Sequence, residues 1–170
     1  MLTLYDFMGS GNGYKVRLLL AQLGIEYALV ERDILKGETR TPEFLARNPN
    51  GKIPALQLED GTYLAESDAI LWYLAEGTRF APATRLERAQ TLQWMFFEQY
   101  SHEPYIAVAR FWRHFFPTLT PQQEIELGEQ QADLVAVARA HEVVQRHHRR
   151  HSAATASAAE SVVTWAFVVR

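Results

Sequence analysis

At 170 residues, with 48% hydrophobic and 22% charged side chains and a formal net charge of −3, the chain can build one generous domain or two small ones whose cores need no staples. That charge balance argues against a nucleic-acid partner, and no apolar run approaches the length that spans a bilayer. There is no cysteine, which excludes disulfides, thiolate metal sites and a cysteine nucleophile and is compatible with a cytoplasmic location.

Met1-Leu2-Thr3-Leu4-Tyr5 has neither the charged start nor the long apolar run of a signal peptide, and Leu2–Phe7 reads as a buried strand. The turn Gly9-Ser10-Gly11-Asn12-Gly13 follows, with Ser10 or Asn12 placed to cap a helix carrying Val16, Leu19, Leu20 and Leu23, which Gly24 stops. Tyr27–Arg32 is a second strand and completes a β-α-β unit, so the two strands are expected to run parallel. Thr41 before Pro42 sets an N-cap with proline at the first helical position, giving a short helix over Pro42–Arg47. Ile53–Leu58 and Thr62–Leu64, joined by a turn at Asp60-Gly61, form a hairpin, and Glu66–Glu76 is a helix ended by Gly77. Past Thr78–Thr84, a linker containing Pro82, the pattern turns helical. Thr84-Arg85-Leu86-Glu87 is a capping box that opens a long helix with Leu92, Phe96, Phe97 and Tyr100, and Pro104 should kink that helix or break it in two. Thr120-Pro121-Gln122-Gln123 caps a further helix.

Something changes near Asp133. Residues 1–133 carry 12 Lys and Arg against 18 Asp and Glu, a net of −6, whereas residues 134–170 carry 5 Arg against 2 Glu, a net of +3, with 4 of the 6 His. The last segment has no Gly, Pro, Lys or Asp and reads like a shifted reading frame or a misassembled end. His147 and His151 stand one helical turn apart, but no third ligand at suitable spacing supports a metal site, and Arg146, Arg149 and Arg150 make a solvated basic end the expected reading. Val162–Val169 is apolar and aggregation-prone if left unpaired.

The order β-α-β-α-β-β-α followed by helices, carrying Asn48-Pro49-Asn50-Gly51-Lys52-Ile53-Pro54 and Glu66-Ser67-Asp68-Ala69-Ile70, resembles the cytosolic glutathione S-transferases. Leu86–Trp112 is similar to a bacterial branch of that family, and Ser10, in the turn before the first helix, matches the position of the active hydroxyl in its serine-type members. The resemblance implies an α/β thioredoxin-like domain over residues 1–77, a linker over 78–84 and an all-α domain over 85–170. Nothing after Gln131 resembles the family's usual continuation, so the second domain is expected to be incomplete.

The resemblance also implies a site. Pro54 would be cis, turning the main chain of Ile53 outward so that its N–H and C=O pair with the cysteinyl backbone of glutathione like an added strand. Ser67 at a helix N-terminus would hold the γ-glutamyl carboxylate, Glu66 its ammonium, and Lys52 the glycyl carboxylate. Ser10 would donate its hydroxyl hydrogen to the glutathione thiolate, with Asn12 assisting through its amide or the adjacent backbone N–H groups. Each residue also has a structural reading: a trans proline at a strand entry, an N-cap pair at Glu66 and Ser67, a solvated Lys52, a purely capping Ser10. Tyr5 is the rival thiolate donor. Implied with the site are glutathione as co-substrate, no metal, a small hydrophobic electrophile in an interdomain cleft walled by residues such as Tyr100, Tyr105, Phe111 and Trp112, and a homodimer. The implied reaction is thiolate attack on that electrophile or glutathione-dependent peroxide reduction. The alternatives are a non-catalytic glutathione-binding or interaction module and an inactive truncated member.

Overall fold

The computed structural model describes residues 1–130, which fall into two compact units, the first spanning Met1–Ala81 and the second beginning at Pro82. The expectations for residues 134–170, including His147, His151 and Val162–Val169, lie outside the described residues.

The first unit is a four-stranded sheet with helices on both faces. Its elements are β1 (Leu2–Asp6), α1 (Gly11–Leu23), β2 (Tyr27–Glu31), α2 (Pro42–Leu45), β3 (Ala55–Gln57), β4 (Tyr63–Ala65) and α3 (Ser67–Ala75). The strand order is β2-β1-β3-β4, with β1 parallel to β2 and antiparallel to β3, and β4 antiparallel to β3. The register decides where the site forms. Tyr5 stands opposite Ala55, and Ala55 opposite Ala65. The end of β1, the start of β3 and the end of β4 therefore share one end of the sheet. The turn at Ser10, the Ile53-Pro54 bond and the Glu66-Ser67 pair all emerge there.

Alternation along β1 separates the faces. Tyr5 points to the α2 side, where it meets Phe44 edge-on at 6.3 Å and packs with Ala55, Val30, Ile53 and Tyr63. Asp6 points the other way and pairs with Arg17 of α1. That opposite face is closed by the apolar sides of α1 (Val16, Leu19, Leu20) and α3 (Ile70, Leu71, Leu74), all buried.

The helix ends follow local chemistry. Ser10 caps α1 by accepting from the Gly13 N–H at 3.2 Å, and Gly24 ends it in the left-handed conformation at φ 66°. Thr41 caps α2 by accepting from the Phe44 N–H. Some boundaries are tighter than the periodicity predicts. Ile53 and Pro54 stay out of the β3 ladder, because proline has no N–H to give it. Glu66 is not part of α3, since its φ of 65° and ψ of 116° are not helical.

In the second unit, α4 (Arg85–Phe97) opens with the expected capping box: Thr84 accepts from the Glu87 N–H, and Glu87 accepts from the Thr84 and Ala83 N–H groups, each at 2.9 Å. Pro104 falls within the first turn of the helical segment that follows α4, and His102 before it leaves helical geometry at φ −121°. The chain widens into a π-helical turn over Glu98–His102 and resumes as α5 (Glu103–Phe115), with proline inside its first turn. A widened turn spares the clash between the proline ring and the carbonyl four residues back. Thr120 caps a further helix that begins at residue 121. Phe96 of α4 and Tyr100 of the π-helical turn are 69% and 84% exposed, so this aromatic stripe is partly open.

The Glu87 carboxylate sits below the ordinary glutamate range because the Thr84 backbone N–H, then that of Ala83, hydrogen-bonds its charged form. A carboxyl depressed in the folded state adds stability above its unfolded pKa and loses it as pH falls through the folded value. The native protein should therefore lose stability below about pH 4, and Glu87→Gln should flatten that acid limb. Acid titration of the unfolding midpoint checks this, and identical limbs for both proteins would rule it out.

Candidate functional site

Three short segments meet at the shared end of the sheet. The first is the α1 N-terminus. Ser10 is half-buried, and its Oγ accepts from Gly13, which leaves the hydroxyl hydrogen to donate elsewhere. Capping and donation, which the sequence sets against each other, are compatible in this geometry. Tyr5 is engaged differently. It is 7% exposed, its hydroxyl donates to Gln57 Oε1 at 3.3 Å, and the Arg32 and Arg47 guanidinium groups lie 5.7 and 5.1 Å from its ring centre. Burial first, then the hydrogen bond with Tyr63, pushes its phenol up from the ordinary value.

The second segment is the turn into β3. Asn48 is 4% exposed and works in both directions, donating to the Lys52 carbonyl at 2.8 Å and accepting from the Asn50 N–H at 3.1 Å. Gly51 adopts φ 63° against the Thr39 carbonyl and Arg40, where a side chain would be both strained and crowded. The Ile53-Pro54 bond is cis, with Pro54 buried, Ile53 half-buried and Lys52 exposed. Asn48 was missed by sequence reasoning; the signal available was an Asn two residues before an Asn-Gly pair, a self-bonding turn pattern.

The third segment is the entry to α3. Glu66 is the one non-glycine residue with positive φ among the described residues, a backbone state that costs about 1–3 kcal/mol and clusters at ligand sites. It gives α3 no side-chain cap, and its Oε1 instead accepts from Asn50 Nδ2 at 3.3 Å. Ser67 is 4% exposed and donates to Asn12 Oδ1 at 3.4 Å, a long contact.

The segments are therefore stitched together: Asn12 to Ser67 across the two helix N-termini, and Asn50 to Glu66 across the hairpin. A third link lies one turn inside, where Lys15 Nζ of α1 meets Asp68 Oδ1 of α3 at 2.9 Å, with side chains only 6% and 16% exposed. Ser10, Asn12, Lys52, Ile53, Pro54, Glu66 and Ser67 all lie at this end of the sheet. It offers two helix N-termini with hydroxyl or amide groups, the main chain of Ile53 just before the start of β3, and an exposed carboxylate. No cluster of potential metal ligands occurs among the described residues. No helix among them is long and apolar enough to cross a membrane. The aromatic residues considered as walls differ in exposure: Tyr100 is open, while Tyr105, Phe111 and Trp112 are half-buried.

Comparison with known proteins fixes the family. The model of the glutathione S-transferase N-terminal domain matches residues 1–76. The crystal structure of a possible glutathione S-transferase from Rhodopseudomonas palustris is 44% identical with a TM-score of 0.82, over 97% of this chain and 74% of that one. The chain belongs to the glutathione S-transferase family, with a thioredoxin-like first unit followed by a helical region. Among curated relatives, the disulfide-bond oxidoreductase YfcG of Escherichia coli is 39% identical over 128 residues, 71% of this chain and 59% of that protein. The URE2 protein of Eremothecium gossypii is 37% identical over 128 residues, 70% of this chain and 36% of that protein. The chain thus spans less than two thirds of either. A structural neighbour solved with its ligand, Ure2p in complex with glutathione, is 27% identical with a TM-score of 0.75, over 88% of this chain and 70% of that one.

Proposed function

We propose that this chain binds glutathione at the shared sheet end and lowers the pKa of its thiol, so that the thiolate attacks a small hydrophobic electrophile or reduces a peroxide. The observation that carries the reading is the convergence of the Ser10 turn, the Ile53-Pro54 segment before β3 and the Glu66-Ser67 helix entry, held by the Asn12–Ser67 and Asn50–Glu66 bonds. Ile53 pairs with the cysteinyl main chain as an added strand. Ser67 and the first N–H groups of α3, which no side chain caps, take the γ-glutamyl carboxylate, and Glu66 takes the ammonium. Lys52, exposed on the approach, faces the glycyl carboxylate. Ser10 donates to the sulfur, where the α1 N-terminus adds positive potential and Asn12 orients the neighbouring turn.

A second reading, glutathione-dependent disulfide reduction, is favoured by the likeness to YfcG. With no cysteine in these 170 residues, bound glutathione must supply the sulfur. One thiolate displaces a thiol from the disulfide, and a second glutathione releases the other thiol and leaves as glutathione disulfide. A non-catalytic glutathione-binding module is the remaining alternative.

Calorimetric titration of the full chain with glutathione, followed by Ser10→Ala, tests the proposal. A hydrogen bond to a charged acceptor is worth about 1.5–3 kcal/mol, so Ser10→Ala should raise the bound thiol pKa by about one to two units. Turnover near neutral pH should fall about 10- to 100-fold, with glutathione affinity kept. Absence of saturable binding in the native chain rejects the proposal; binding with no turnover of electrophile, peroxide or disulfide leaves the binding module.

A further inference from the structure

The reaction sketched above makes no use of Asp6, a fully buried carboxylate at the end of β1. Its Oδ2 is ion-paired with Arg17 Nη1 of α1, while its Oδ1 has no hydrogen-bond partner among the described residues. The carboxyl group lies directly against Gly13, where a methyl would overlap it. Gly13 is in turn the residue whose N–H bonds Ser10 Oγ at 3.2 Å. An ion-paired carboxylate thus lies beneath the turn that is proposed to face the sulfur of glutathione.

Two anions at one helix N-terminus compete. A carboxylate near a thiol disfavours the thiolate, whereas a cation favours it. Arg17 is placed to cancel the carboxylate. Its second nitrogen, Nη2, donates to the Met8 carbonyl at 3.1 Å, which ties the same guanidinium to the loop leading into Ser10. The other charges around this point are Glu31, which accepts from the Met8 N–H at 3.4 Å, and the Lys15–Asp68 pair at 2.9 Å. Arg32 approaches through its main chain, donating to the Asp6 carbonyl at 2.7 Å.

We propose that Asp6 and Arg17 are positioning residues that balance charge under the α1 N-terminus, so that the glutathione sulfur holds the net negative charge at that turn. This rests on the reading that the Ser10 turn faces that sulfur. The pair holds the turn through Gly13 and Met8 and keeps its own field near zero. Removing one partner shifts the field, and removing both restores it.

The test is a pH titration of the thiolate ultraviolet absorbance of the full chain saturated with glutathione, with occupancy measured separately by calorimetry. Asp6→Asn should lower the bound thiol pKa by about one unit, Arg17→Gln should raise it, and the double variant should return near the native value. Arg17→Lys, which keeps the charge, should titrate like the native protein. If Asp6→Asn fails to fold, the contrast between Arg17→Lys and Arg17→Gln decides alone. An unmoved thiol pKa in occupied single variants, or shifts of one sign in both, overturns the charge-balance role and leaves the binding proposal standing. Failure of the native chain to bind glutathione overturns both, and calorimetry distinguishes that outcome from the first.

Discussion

Gly13→Ala is expected to destabilise the protein by about 3–5 kcal/mol, the reverse of what the same change does in an ordinary helix interior, where alanine gains about 1 kcal/mol over glycine. The reversal is steric. Gly13 lies in the first turn of α1, and a methyl on its Cα would occupy the space of the Asp6 carboxyl group. Asp6 is fully buried and tethered to Arg17, so it cannot swing into solvent. Either α1 lifts from β1 or the ion pair breaks. Overpacking alone costs about 1–3 kcal/mol, and separating a buried pair about 3–5 kcal/mol, the two not being additive. Gly128 supplies the control, since it is also helical and a methyl there meets nothing within 4 Å among the described residues. Gly128→Ala should be neutral or stabilising. Urea unfolding followed by circular dichroism compares the two, and a Gly13→Ala midpoint equal to the native one would show that the close approach is not real.

What the sequence made legible was what is local. The caps at Ser10, Thr41, Thr84 and Thr120 and the left-handed stop at Gly24 each depend on residues within about one turn, so their types announce them. The order of strands and helices could be read in the same way, and the two sequence motifs, through their family resemblance, pointed to the sheet end where the site residues gather. The links that assemble the site were not legible. Asn12–Ser67 and Lys15–Asp68 join residues 55 and 53 positions apart, and nothing in either segment names its partner. A faint signal did exist: Asp6 interrupts an apolar strand and Lys15 borders the apolar stripe of α1, and a charge in either place needs a partner. Glu66 carried no signal at all, because glutamate has no preference for positive φ and only its surroundings hold it there. At Pro104 the disruption was foreseeable but not its form, since a kink, a break and a widened turn all relieve the same clash.

Lys15→Ala should cost about 3 kcal/mol of stability and weaken glutathione binding together, because the ion pair it breaks joins the two helices that carry the site. Lys15 is 5% exposed, and its ammonium meets Asp68 at 2.9 Å. Truncating it leaves the Asp68 carboxylate with its main counter-charge gone in a site only 16% exposed. That residual exposure sets the effect at the lower end of the 3–5 kcal/mol range typical of a broken buried pair. A pair of this kind contributes little net attraction over an apolar contact of the same shape. Lys15→Met with Asp68→Leu should therefore recover most of the stability that Lys15→Ala loses. Added salt should not imitate the single variant, because buried charges are poorly screened. Glutathione affinity separates position from stability. The pair lies one turn inside the Asn12–Ser67 contact, so an apolar replacement that restores packing without fixed geometry should restore the unfolding midpoint more completely than the affinity. Denaturant unfolding and calorimetry on the three proteins measure both. If Lys15→Ala unfolds at the native midpoint, the pair is solvated in solution and does not tie α1 to α3.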